Sequence, residues 1–203
     1  MSGVRAPFPQ APLLWAAGLA LAATLLLGGC AVVVVGATVG AGTIVAMDRR
    51  SASVVQSDQG IEQKVGKAVA DRWPAGSSGV HVNVTSYGGK VLLTGEVPTQ
   101  TIRDEIEKIA RSTQYVEAVT NELVVGPETL IAARTRDTYI TSKVKARLIE
   151  AQQVDAKNIV VVTERGVVYL MGLVSPTEGD AAAQVAASTS DVVRVVKLFE
   201  YRT

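Results

Sequence analysis

Apolar residues fall into two kinds of run along this 203-residue chain. Near the amino terminus Leu13 to Leu27 is almost unbroken, about fifteen residues where a bilayer span needs about twenty. From Ile61 onward the pattern becomes periodic, and it does so twice. Ile61, Val65 and Val69 recur every fourth residue, as do Ile140, Val144 and Leu148, a spacing that puts each trio on one helical face. Each predicted helix is followed by a pair of strands. The first pair is Val80 to Val84 and Lys90 to Val97, turned by Tyr87-Gly88-Gly89; the second is Ile159 to Val162 and Val167 to Val174, turned by Glu164-Arg165-Gly166. Gly95 and Gly172 stand at matching places late in the second strands, which marks a bulge or a close backbone approach. Thr101 to Thr113 then carries Ile102, Ile106, Ile109 and Ala110 at helical spacing, and Asp180 to Ser188 is its alanine-rich counterpart. Val116 to Val125 and Val192 to Phe199 close the two copies as third strands.

The unit is therefore helix-strand-strand-helix-strand, repeated once, and a periodic repeat of this kind sets the architecture. A helix between the second and third strands permits a parallel crossover. The predicted class is α/β, each copy an α+β sandwich with a three-stranded mixed sheet packed on two helices. Gly126-Pro127 marks the boundary, giving a first domain at 58–126, a linker at 127–133 and a second domain at 134–203. Residues 30–57 are small and glycine-rich, then polar, with no sustained period; they read as a flexible tether.

The first apolar run has the form of an export signal. Arg5 supplies a short positive region, Leu13 to Leu27 the apolar region, and small residues follow. Leu27-Gly28-Gly29-Cys30 resembles a bacterial lipobox, a signal cut before its cysteine, whose thiol and new amine are acylated. That resemblance makes 1–29 the signal peptide and Cys30 the lipidated residue, carrying palmitate-type chains. Cys30 is the only cysteine, so a disulfide within the chain is ruled out and lipidation explains it best. Val32 to Val35 and Ile44 to Met47 keep open a longer uncleaved membrane segment, which Gly36, Gly40 and Gly42 weaken as a helix. Ala31, where inner-membrane retention signals resemble an aspartate, points to the outer membrane, with the folded part facing the periplasm.

Charge and chemistry exclude more than they assign. Lysine and arginine number 20 against 19 acidic residues, so no global nucleic-acid footprint exists. His81 is the only histidine and falls in an alternating strand, where it is expected to face solvent. No soft-ligand metal site, Cys-His pair or cofactor site is expected. Asp104-Glu105 and Glu117-Glu122 are carboxylate pairs on expected exposed positions without a histidine nearby, so no catalytic residue is assigned. The paired glycines lack the helix and lysine of a phosphate loop.

The repeated apolar, valine and glycine pattern resembles BON domains, and the arrangement as a whole resembles the dual-BON outer-membrane lipoproteins. The residues that carry this are Gly29-Cys30, Asp48 to Ser51, Val84 to Gly95, Asp137 to Val144 and Val162 to Val174. The resemblance implies a non-enzymatic protein that binds anionic phospholipid through its second domain and supports outer-membrane integrity. It also implies concentration at division sites, as in other family members; the outer-membrane assembly machinery is the partner of a competing protein-interaction reading.

The residues allow an independent check of that lipid site. On a helical wheel of 137–150, Tyr139, Lys143 and Arg147 share a face apart from the Ile140, Val144 and Leu148 core. Arg136, Ser142 and Ala146 lie beside them. From 131 to 150 five basic residues stand against Asp137 and Glu150, a local net of +3. A basic side chain near an anionic surface contributes about 1 kcal/mol, and tyrosine suits interfacial depth. Dual-BON members carry tryptophan where this chain has Tyr139, which buries less apolar area. The equivalent first-domain helix has no aromatic residue, so the site is expected in the second copy only. Two classes stay open at this point: a lipid-binding module, or a protein-interaction or osmotic-stress factor whose helix charges only solvate it.

Overall fold

The computed structural model describes residues 48–202 apart from 75 and 77. The leader, Cys30 and the chain to residue 47 lie outside the described residues. Helix α1 spans Ala52–Arg72, with the Ser51 side chain accepting from the Val54 amide. Strands β1 (His81–Tyr87) and β2 (Lys90–Val97) form a hairpin. Helix α2 (Gln100–Ser112) starts from a Thr99 cap, and β3 (Ala118–Asn121) and β4 (Val124–Val125) finish the first copy. The second copy is α3 (Ile131–Glu150), β5 (Ile159–Glu164), β6 (Val167–Val174), α4 (Pro176–Ala187) and β7 (Arg194–Tyr201). A single 3-10 turn at Ala156–Asn158 precedes β5.

In each copy the middle strand pairs antiparallel with the strand before it and parallel with the strand after the helix. Both hairpins close with two residues at positive φ, Gly88 and Gly89 in one and Arg165 and Gly166 in the other. That is the turn whose twist matches the strands it joins. Gly95 and Gly172 are indeed sites of close approach. A Cβ there would lie 2.1 Å from the His81 carbonyl oxygen and 2.3 Å from that of Asn158.

The apolar trios seat each first helix on its sheet. Ile61, Val65 and Val69 pack with Val91, Leu93, Val97 and Ile106; Ile140, Val144 and Leu148 pack with Val168, Leu170, Val174 and Ala182. A third cluster joins the copies. Tyr87, Leu92, Tyr169 and Met171 are buried together, with Val160, Leu173, Val196 and Leu198 around them. These are the alternate residues of the same strands, so the middle strands β2 and β6 are covered on both faces. Two-sided burial is why β2 and β6 read as nearly continuous apolar runs rather than alternating ones. A domain of this size buries only about 60% of its chain's surface alone, and the shared face adds to it at roughly 25 cal/mol per Å².

Two local expectations change. Residues 48–57, assigned to the flexible tether, are ordered by charge: Arg49 reaches the Leu173 carbonyl at 2.7 Å and both Glu178 carboxylate oxygens at 2.8 and 3.0 Å. Arg50 bonds Asp58 at 2.7 Å and lies over the Tyr87 ring. Consecutive arginines thus grip the second and first domains in turn, and α1 begins six residues before the boundary at 58. The third strand of the first copy is interrupted after Asn121, because Arg103 takes the Asn121 and Leu123 carbonyls and Asn121 Oδ1 accepts from the Leu123 amide.

Candidate functional site

The second domain's first helix carries the candidate site, and its placement is fixed from below. Ile140, Val144 and Leu148 are buried, and so is Asp137. The Asp137 carboxylate accepts from the Arg165 and Gly166 amides, both at 2.8 Å, and so pins the helix to the hairpin turn. Asp58 does the same for Gly88 and Gly89 in the first domain. Asp137 therefore serves the fold, not the charge of the helix surface. Leu130 caps α3 without a side-chain bond, and Leu130 and Ile131 are each about four-fifths exposed (78% and 81%).

The expected residues do share one outer face. Tyr139 is 61% exposed, and the Lys143 ammonium lies 5.1 Å from its ring centroid. Arg136, Ser142 and Ala146 are exposed, and Arg147 is half-buried at the far end. Ser142 turns its hydroxyl back to the Thr138 carbonyl. The cations are not free in solvent, however. The loop after α4 runs alongside them: Arg147 donates to Ser188 and Thr189, Lys143 to Ser190 and Asp191, and Arg136 to Asp191. Arg136 and then Lys143 hold the Asp191 carboxyl below its ordinary range. Asp191 is 44 residues from Arg147 in the chain, and no periodicity or motif links the two. The exposed Val193 flanks this loop.

His81 departs from its expected position. Its Nδ1 lies 3.2 Å from Glu96 Oε2, and its side chain is 20% exposed, with Glu164 of the second domain also close by. Glu96 is wholly buried and also accepts from Thr129; Asn83 reaches across to Glu164 at 3.0 Å. Burial, then the neighbouring Glu96, pushes the Glu164 carboxyl up. His81, Glu96 and Glu164 come together closely enough to suit a cation. Arg165 lies 3.7 Å from Glu96 Oε1, so one protein cation already faces this interdomain cluster. Of the carboxylates passed over for catalysis, Glu122 is half-buried and accepts from the Tyr169 hydroxyl. Among the described residues no helix is long and apolar enough to cross a membrane.

Comparison with known proteins agrees with this architecture. Residues 57–127 and 136–203 each match the BON domain family. Outer membrane lipoprotein DolP of Haemophilus influenzae is 35% identical over 89% of this chain and 93% of its own length. A 21 kDa hemolysin of Actinobacillus pleuropneumoniae is 32% identical over 76% of this chain and 79% of its own. Osmotically-inducible protein Y of Escherichia coli is 30% identical over 69% of this chain and 70% of its own.

Proposed function

The chain belongs to the BON-domain family as a DolP-like dual-BON lipoprotein, and from that premise we propose that it binds anionic phospholipid through the outer face of α3. In this reading Cys30 is acylated, the anchor holds the protein to the outer membrane on its periplasmic side, and the second domain meets headgroups there. Its role is to support envelope integrity. BON domains are not an enzyme family, and the reading assigns no catalytic step.

One observation carries it: Arg136, Tyr139, Lys143 and Arg147 line one flank of α3, Arg136 and Tyr139 exposed and Lys143 and Arg147 partly buried, and the first-domain counterpart lacks all but one of them. A tyrosine at headgroup depth has an apolar body and a polar tip. Lys143 and Arg147, one and two turns along, meet the phosphates. Exposed Leu130 and Ile131 at the start of the helix supply further apolar contact.

Vesicle co-sedimentation tests it. Binding should rise with anionic lipid content and fall with salt, because exposed charges are screened within about 8 Å at physiological ionic strength. Tyr139→Glu should weaken it about fivefold, the worth of one basic residue at the surface. Binding that ignores both lipid charge and Tyr139→Glu would move the assignment to the protein-interaction class.

A further inference from the structure

The three cations of the α3 face are held by one short loop, and that loop contains a single charge. Asp191 Oδ1 accepts from Arg136 Nη2 at 2.8 Å, and Oδ2 from Lys143 Nζ at 3.1 Å. Two oxygens of one anion therefore bridge two cations two helical turns apart. The remaining loop contacts are neutral: the Ser190 hydroxyl and carbonyl on Lys143, and the Ser188 and Thr189 hydroxyls on Arg147. The two non-bridging oxygens of a phosphodiester present the same charge and nearly the same span as this carboxylate.

The backbone around Asp191 belongs to the fold, whereas its carboxylate does not. Asp191 has φ 73° and Tyr115 has φ 72°. They are equivalent positions, because the amide two residues on, Val193 or Glu117, donates to the turn glycine, Gly166 or Gly89. Each copy thus needs an αL residue here, and only the second places a carboxylate there, against Arg136 and Lys143, of which the first copy keeps only the lysine, as Lys64. Asp137 shows the contrast within one domain: buried, it serves backbone amides, while the Asp191 hydrogen bonds go to Arg136 and Lys143.

We infer that Asp191 is the residue that sets the site's selectivity for anionic lipid, its carboxylate occupying the place a headgroup phosphate takes. This rests on the lipid reading above. An anionic phosphate exchanges for the carboxylate charge for charge. A zwitterionic headgroup brings its own ammonium, so the exchange returns less than the Asp191 pairs it breaks. Discrimination of this kind comes from a competing element built into the site.

The test uses the mature chain from residue 30 with Cys30→Ser, so that no acyl chain contributes. It compares vesicles of phosphatidylcholine alone with vesicles of phosphatidylcholine and phosphatidylglycerol in equal amounts. Asp191→Asn keeps a side chain that tolerates αL and removes the charge. It should bind mixed vesicles about fivefold more tightly and gain binding to phosphatidylcholine alone, narrowing the preference. The gain should vanish in an Arg136→Gln, Lys143→Gln background, since Asp191 acts through those two side chains. A gain that persists there would be general charge repulsion and would overturn the inference, as would a wild-type preference that Asp191→Asn leaves unchanged; in both cases the lipid reading stands. Binding by Asp191→Asn but not by wild type would overturn the inference and the lipid reading together, because the native site would then have no preference for Asp191 to set. If neither protein binds either vesicle, the lipid reading fails and this inference with it. Thermal melts of each variant confirm that it folds.

Discussion

Helices α1 and α3 do the same structural work with different outer faces. Aligned on their buried aspartates, Asp58 and Asp137, the core residues correspond one for one: Ile61 with Ile140, Val65 with Val144, Val69 with Leu148. On the outer face Ser57 stands where α3 has Arg136, Gly60 where it has Tyr139 and Ala68 where it has Arg147; only Lys64 and Lys143 agree. The α1 polar groups also turn inward: Glu62 accepts from the Ser86 amide at 2.8 Å, and Asp58 carries the extra charge of Arg50. A duplicated unit keeps whatever the fold requires and diverges where only function is at stake. The difference between the copies therefore locates the site more sharply than either copy alone.

If that division holds, substitutions at equivalent structural positions should cost the two copies alike. Gly95→Ala and Gly172→Ala each drive a methyl into a backbone carbonyl at a conformation rare for other residues, and each should cost about 3 kcal/mol or more in urea unfolding. A large loss in one copy and none in the other would break the symmetry of the fold.

The next largest effect falls where the copies are tied together. Arg49→Ala leaves Glu178, whose side chain is 7% exposed, with only the more distant Arg202 guanidinium at 3.8 Å, and should cost about 2–3 kcal/mol. Burial alone would push the Glu178 carboxyl up, yet the Arg49 bond and the Asp155 and Ser175 amides hold it below its ordinary value. A depressed folded value means that the native state holds the proton less tightly than the unfolded chain. The contribution is thus present above the unfolded carboxylate range and lost as pH falls through the folded value. Urea midpoints measured down the acid range should decline less steeply in Glu178→Gln than in wild type.

The outer faces should respond oppositely. Tyr139→Glu should weaken anionic-vesicle binding about fivefold without moving the unfolding midpoint, because Tyr139 lies outside the core. Tyr139→Trp, which enlarges the interfacial ring, should strengthen binding modestly, the smallest effect of the set. A matching loss of vesicle binding from Lys64→Gln in α1 would erase the contrast.

Much of the fold was legible because local signals agreed. The two apolar trios, the turn glycines of both hairpins, and Gly95 and Gly172 each marked a feature that the structure contains. The α3 face was legible through its period. What escaped depended on partners distant in sequence. Arg49 and Arg50 looked like tether until Glu178 and Asp58 were beside them. His81 looked solvent-facing because an alternating strand does not reveal that Glu96 and Glu164 will lie close by. Asp191 had no sequence signal at all: its meaning comes from Arg136 and Lys143, 55 and 48 residues away.

Amide chemical-shift mapping of the mature chain with anionic phospholipid micelles reaches the central claim most directly, since it reads α1 and α3 in one titration. Shifts that grow with anionic content and concentrate on Tyr139, Lys143, Arg147 and the 188–191 loop, with Gly60, Lys64 and Ala68 unmoved, are the predicted result. Shifts centred on α1, or spread equally over both helices, would contradict it.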